Sequence, residues 1–407
     1  MKLKHIINNN NKSLFAVCAL ASSLPFMSTT AIAADAAANT SKAFVDFRLR
    51  FESVEQDNAL KDAEALTLRT LLHYQTKDFS GFSAVVEFED SRDVNDVEDY
   101  NDANGTNPEY SVIADPNTTE LDQGFVQYKA NGITAKVGRQ VITFDGHRFV
   151  GHVGWRQDKQ TFDGATFNYS ADKLSASYAY INKRNRIFAE SKDIESKDHL
   201  INASYNLGFG KVTGYGYLLE VDQDTDNALD TFGVSFAGKG QLFSKDVNYR
   251  LEYATQTSET GTTEFDADYI NVEGGIALGK FNLKLGLEAL GSDDGQYGFS
   301  TPLATLHKFN GWSDQFLGTP SVGLNDIYVS ASTKLLGGSV LVAYHDFTAN
   351  DDGYGIDDLG SELNVQYAAK FATYFNGGIK FSAYSAGDDA AGKVDTDKVW
   401  LWVGARF

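Results

Sequence analysis

From Ala43 to Phe407 apolar and polar residues alternate with a period of two, and the spacing of an amphipathic helix is nearly absent. In the opening segment Val45, Phe47, Leu49 and Phe51 share one face, with Asp46, Arg48, Arg50 and Glu52 on the other. Successive side chains of a strand point to opposite faces, so the pattern predicts a strand with one apolar and one wet side. Comparable segments recur near 64–76, 81–90, 120–130, 132–141, 161–170, 173–183, 197–208, 211–221 and 228–238. Others follow near 245–256, 264–278, 280–290, 324–335, 338–347, 359–370, 376–386 and 397–407, which makes 18 strands.

The connections between these segments alternate in length. Short ones fall near 77–80, at Asn131, near 171–172, and at Phe209-Gly210, Gly279 and Leu336-Gly337. Long ones fall near 91–119, 142–160, 184–196, 291–323, 348–358 and 387–396. Short turns at one end and long loops at the other, with both termini on the short side, predict an all-β transmembrane barrel. It is an antiparallel, up-and-down barrel of 18 strands, with outer-membrane lipid and lipopolysaccharide as its surroundings. A soluble sandwich has no reason to segregate its loops in this way. Val399, Leu401, Val403, Ala405 and Phe407 share a face and end on an aromatic residue. That ending resembles the signal by which the barrel-assembly machinery takes up outer-membrane barrels. Trp400 and Trp402 fall on the inward face by parity.

Composition narrows the reading further. The 35 basic and 55 acidic residues leave a net charge of −20, the wrong sign for a nucleic-acid partner. Cys18, Met1 and Met27 are the only sulfur-bearing residues, so the chain beyond them has no thiol catalyst, disulfide or Cys-ligated metal. Lys2, Lys4 and Lys12 precede an apolar stretch from Leu14 to Met27, and Ala31-Ile32-Ala33 supplies the small residues of a cleavage site. This predicts a secretory signal peptide over 1–33 and a single barrel domain over 34–407, located in the cell outer membrane. No later apolar run reaches the roughly 20 residues that a membrane-spanning helix needs.

The acids gather in the long loops, among them Asp93, Asp96, Glu98 and Asp99, and Asp351, Asp352, Asp357 and Asp358. They suit a solvated, repulsive rim, or a rim bridged to lipopolysaccharide phosphates by divalent cations. Asp222, Asp224 and Asp226 imitate the start of a calcium loop, but Asn227 replaces the turn glycine and Gly233 stands where glutamate is needed. No metal or cofactor site is expected.

Arginine is distributed differently. Arg48, Arg50, Arg69 and Arg250 occupy strand positions whose parity places them in the lumen, and Arg139, Arg148, Arg156, Arg184 and Arg186 cluster at or beside the third and fourth loops. A guanidinium facing lipid at mid-depth costs about 2–4 kcal/mol, so the lumen is the cheaper placement. There the arginines either form an anion-selective ring or pair with inward Asp46, Glu52, Glu87 and Glu89 and stiffen the wall.

Gly138 to Asp163 is the densest polar-aromatic stretch, and folding it into the lumen would form a constriction bearing Trp155 and Asp163. Ser300 to Leu317, with His307 and Trp312, is too apolar and aromatic for a plain external loop and is expected to cap the mouth or pack on the inner wall. His147, His152, His199, His307 and His345 stand in different segments without a compact nucleophile motif, so no catalytic site is expected.

With these residues identified, the chain resembles the alginate-export family of outer-membrane proteins. The resemblance is carried by Arg48-Leu49-Arg50, the Ala65 to Arg69 run, Gly138-Arg139-Gln140 and Arg148-Phe149-Val150-Gly151. Trp155-Arg156-Gln157, the Gln160 to Asp163 run and the His307 to Trp312 run complete it. It implies an 18-stranded barrel and a passive conduit for an anionic polysaccharide, with Arg48, Arg50, Arg69, Arg139, Arg148 and Arg156 as lining positions. Eleven arginines are few for a polyuronate lumen, and an acidic rim repels a polyanion, so the cargo stays open between a polysaccharide and smaller hydrophilic solutes. The alternative to a channel is a structural or adhesive barrel whose lumen is sealed by the two inward segments.

Overall fold

The computed structural model describes residues 40–222, 227–352 and 355–407. The leader expected over 1–33, and Asp224 and Asp226 of the calcium-like run, lie outside them. The strands are β1 (Lys42–Gln56), β2 (Ala63–Gln75), β3 (Phe82–Asp99), β4 (Thr118–Ala130), β5 (Ile133–Gln140), β6 (Thr161–Ala171) and β7 (Leu174–Asn185). They continue as β8 (Ile194–Asn206), β9 (Gly210–Glu220), β10 (Asn227–Leu242), β11 (Lys245–Thr260), β12 (Thr263–Leu278) and β13 (Phe281–Leu290). A short hairpin, β14 (Ser292–Asp293) and β15 (Tyr297–Gly298), precedes β16 (Leu324–Leu335), β17 (Gly338–Thr348), β18 (Asp358–Lys370), β19 (Phe375–Ser385) and β20 (Thr396–Arg406).

Every strand except β14 and β15 belongs to one 18-stranded antiparallel sheet. Neighbours in sequence are neighbours in the sheet, and β1 pairs with β20 from Asp46 opposite Arg406 to Gln56 opposite Thr396. That last pairing closes the barrel and leaves no strand edge with unpaired backbone groups, the condition for a sheet to sit in lipid. The alternation is inverted relative to a soluble protein: on β11, Leu251 and Tyr253 are exposed while Glu252, Ala254 and Gln256 are buried. The wet face of each strand therefore looks inward.

Two connections differ from the sequence reading. β3 runs on to Asp99, where a loop was expected from residue 91. Beyond the lipid both faces of a strand meet water, so a charged run can pair without alternation, as Asp99 opposite Glu64 does. At the same end β11 and β12 are joined by two residues, 261–262, although long loops otherwise gather there.

The core lies inside the barrel. Ile142, Phe149 and Val150 of one inward loop and Leu303 and Phe316 of another pack with wall residues Phe162, Tyr215, Tyr269, Leu290 and Phe347.

Candidate functional site

Residues 141–160, between β5 and β6, and 291–323, between β13 and β16, enter the lumen and bond to each other. The Gly151 amide donates to the Leu303 carbonyl at 2.7 Å and the Thr305 amide to the His147 carbonyl at 3.0 Å. A Cβ at Gly151 would lie 2.2 Å from Thr305 Oγ1, so only glycine permits this approach.

Buried charges tie the loops to the wall on several sides. Arg156 donates from Nη1 to both Glu52 oxygens of β1, at 3.1 and 3.0 Å, and from Nη2 to Asp314 at 3.1 Å. Arg148 donates from Nε to Glu288 of β13 at 2.6 Å and lies over the Phe309 ring at 4.8 Å. Lys159 reaches Glu87 and Glu89 of β3 at 3.0 and 3.2 Å, and also contacts Asp122 of β4. The backbone amide of Ser313 donates to Glu362 of β18 at 3.1 Å.

The strand arginines meet the loop from the wall side. Arg48 donates to Gln157 Oε1 at 2.9 Å and to the Gly154 carbonyl at 3.1 Å. Arg50 is buried, donates to Asp115 and to the Trp155 carbonyl, and lies 3.3 Å from Glu52. Arg69 pairs with Asp46 at 2.5 Å, and Arg250 with Glu252 at 2.7 Å. Of the sequence-expected residues the structure thus gathers Arg48, Arg50, Arg148, Arg156, Trp155, His307 and Trp312 around the inward loops, and sets Arg69 and Arg250 on the wall.

Arg139 and Asp163 require correction. Arg139 is two residues from Val137, which is 67% exposed, and so shares the lipid-facing side of β5. It pairs with Asp163 of β6 at 2.7 Å in an outward cleft floored by Gly124 and Ala165. Neither residue lines the lumen or the constriction. The signal was present in the sequence, because Ile133, Ala135, Val137 and Arg139 have one parity.

The most aromatic part of the site centres on a residue that was not singled out from sequence. Lys380 of β19 holds its Nζ 3.8 Å from the Trp312 ring centroid, 4.5 Å from Trp155 and 5.2 Å from Trp400. Its Nζ lies 2.6 Å from His307 Nε2, and His307 Nδ1 lies 2.7 Å from Asp314. Facing the Asp314 carboxylate, Nδ1 carries the proton, which leaves Nε2 of the neutral ring to accept from Lys380. Burial, against the pull of Asp314, pushes His307 down to about 3. Burial also lowers His147 to about 4 and His152 to about 3. Burial alone would raise Asp314, but His307, Lys398 and Arg156 hold it well below the usual carboxylate range. Parity would have found Lys380, which is alone among charges on the Gly378, Lys380, Ser382, Tyr384 face. Asp115 and Asp314 had no such signal, because they lie on loops; Glu288 has the inward parity of β13, but its pairing with Arg148 depends on where a loop goes.

A sequence profile described as alginate export matches residues 41–296. No curated protein sequence matches the chain. Among solved structures, OccAB4 of Acinetobacter baumannii superposes with a TM-score of 0.72 at 14% identity, covering 90% of this chain and 98% of that one. OccK9 (OpdG) of Pseudomonas aeruginosa gives 0.70 at 13% identity over the same shares. The outer membrane protein opdK of Pseudomonas aeruginosa gives 0.67 at 14%, again covering 90% and 98%.

Proposed function

The chain belongs to the alginate-export family, an outer-membrane porin-type barrel, and we propose that it is a passive channel for hydrophilic anionic solutes, with acidic sugars or their polymers as cargo. The observation that carries this reading is an asymmetry of exposure in the lumen. Carboxylates are consumed in the joints of the inward loops: Glu52 and Asp115 are 1% exposed and Glu288 4%. The guanidinium side chains of Arg250 and Arg406 keep 25% and 42% of their surface. Arg250 and Arg406 are thus more accessible than the inward carboxylates Asp46 and Glu273, whose side chains keep 17% and 18%, and accessible fixed cations in a pore favour anions. The lining positions are Arg48, Arg69 and Arg250, while Arg50, Arg148 and Arg156 hold the loops. Insertion through the barrel-assembly machinery by β20, and contact of the acidic rim with lipopolysaccharide, belong to the same reading.

A sealed structural or adhesive barrel is the second reading, favoured by the buried ion pairs that pin residues 141–160 and 291–323 across the lumen. Single-channel conductance of the purified barrel in a planar bilayer, with the reversal potential in a KCl gradient, separates the two. Open events with anion preference support the channel. Cation preference contradicts the anionic cargo, and a folded but silent barrel contradicts the channel itself.

A further inference from the structure

Arg139 and Asp163 face lipid, where charge is unfavourable, and the lumen makes no use of them. Arg139 holds Asp163 by two bonds, from Nε at 2.7 Å and from Nη2 at 3.1 Å, and donates from Nη1 to the Leu121 carbonyl at 3.0 Å. Asn185 donates to the same carboxylate at 3.0 Å. The pair is locked but not covered, since its side chains keep 16% and 27% of their surface. It stands where residues 141–160 turn into the lumen and leave β5, at eight residues, the shortest strand of the 18-stranded sheet.

The cleft around the pair is layered. Leu121, Val137, Ala165 and Tyr180 make its apolar part, and Gly124, opposite Arg139, leaves bare backbone beside the guanidinium. Asn182 and Glu190 stand exposed at its extracellular end. At about 630 Å³ the cleft falls within the roughly 300–1,000 Å³ of small-molecule sites. The step from apolar to polar comes early. Below Arg139 the outward apolar residues of β5 run only from Ile133 to Val137, which at ~3.4 Å per residue and a tilt of about 40° is about 10 Å of membrane normal. On β10 no outward side chain is polar from Phe232 to Leu242, about 26 Å.

A lipid packed against β5 therefore meets hydrogen-bonding groups within its own acyl layer. Arg139 and Asp163 cancel each other's charge, and a phosphate would be set against both Asp163 and Glu190. The group that suits the pair is neutral and can both donate and accept. A phospholipid has none below its ester carbonyls. The glycolipid of the outer leaflet has amides and 3-hydroxyl groups where its acyl chains join the glucosamine core.

We propose that this cleft is a binding site for the lipid A portion of lipopolysaccharide: an acyl chain lies on Leu121, Val137 and Ala165, and the amide and hydroxyl groups at its head bond to the Arg139–Asp163 pair and to Asn182. The charges of the site are already paired, so a second barrel gains little from it, whereas a hydroxyl or an amide can bond to both members at once. The site lies on the outer wall and stands whatever passes through the lumen.

The test is native mass spectrometry of the full barrel in mild detergent, titrated with lipid A, with dephosphorylated lipid A and with phosphatidylglycerol. The two forms of lipid A are expected to bind within about threefold of each other and at least about tenfold more tightly than phosphatidylglycerol, the weight of one or two hydrogen bonds. Ala165→Leu fills the apolar floor and leaves the pair intact. Arg139→Leu combined with Asp163→Leu gives the wall an ordinary apolar surface. Each variant, shown to be folded by its heat-modifiable migration, should lower lipid A affinity about tenfold and leave phosphatidylglycerol binding unchanged. Equal binding of lipid A and phosphatidylglycerol overturns the proposal, as does native lipid A affinity in either folded variant. Loss of binding on dephosphorylation overturns it in favour of phosphate contacts elsewhere on the barrel. Barrel dimers that the double variant abolishes overturn it in favour of a second copy.

Discussion

The imidazole of His307 lies flat on the indole of Trp155, with ring centroids 5.2 Å apart and planes 4° from parallel. Each ring belongs to a different inward loop, so this stack joins the two loops at the centre of the barrel. Its edges are satisfied by Asp314 and Lys380, which lets a neutral histidine sit fully buried.

Acidification should loosen this joint. His307 is held down at about 3, whereas a histidine in water titrates near 6.5. The undocked ring therefore binds more protons than the docked one between those values. Its stabilising contribution is complete above about 6.5 and declines as pH falls toward about 3. Protonation would also set the ring against Lys380 and Arg156. Mean channel conductance is expected to be larger at pH 4 than at pH 7. His307→Gln should weaken that dependence, and a flat profile in the native barrel would contradict it.

Arg156→Gln removes the partner shared by Glu52 and Asp314, leaving Glu52 with Arg50 and Asp314 with His307 and Lys398. Leaving a buried charge with no partner costs about 3–5 kcal/mol, so with these partners retained the cost is smaller, and it falls on loop docking, because β1 is held by its neighbours. We expect longer and larger openings in single-channel records from a barrel that still migrates as folded. Arg156→Lys should fall between, since an ammonium cannot reproduce the forked contact.

Ion selectivity should respond to Arg250 and not to Arg139. Arg250→Gln removes a partly exposed lumen cation, and the chloride-to-potassium permeability ratio is expected to fall by a factor of about two or more. Arg139→Gln alters only the outer wall and should leave the reversal potential unchanged. Equal effects of the two substitutions would rule out the assigned faces.

Adjacent residues of β16 should differ sharply in tolerance. Val329 is 51% exposed toward lipid, and Val329→Arg is expected to cost about 2–4 kcal/mol in guanidinium titration of the vesicle-bound barrel. Ser330, one residue on, faces the lumen, where Ser330→Arg should cost less than about 1 kcal/mol.

The sequence by itself determined the barrel and its strands, because the pleat sends alternate residues to lipid and water and leaves a period of two over each crossing. The same parity assigned Arg48, Arg50, Arg69 and Arg250 to the inside, placed Trp400 and Trp402 there as well, and carried enough signal to send Arg139 outward beside Val137. Parity ends where the membrane ends. The acidic run from Arg92 to Asp99 reads as a loop because both of its sides are wet, yet hydrogen bonding to β2 keeps it a strand. Loops have no period at all, so the meetings of Arg156 with Glu52, Arg148 with Glu288 and Lys380 with three tryptophans were decided only in the tertiary structure. Apart from Lys380 and Trp400, which face each other across β19 and β20, each joins residues far apart in the chain, brought together where the inward loops meet the barrel wall and its interior charges.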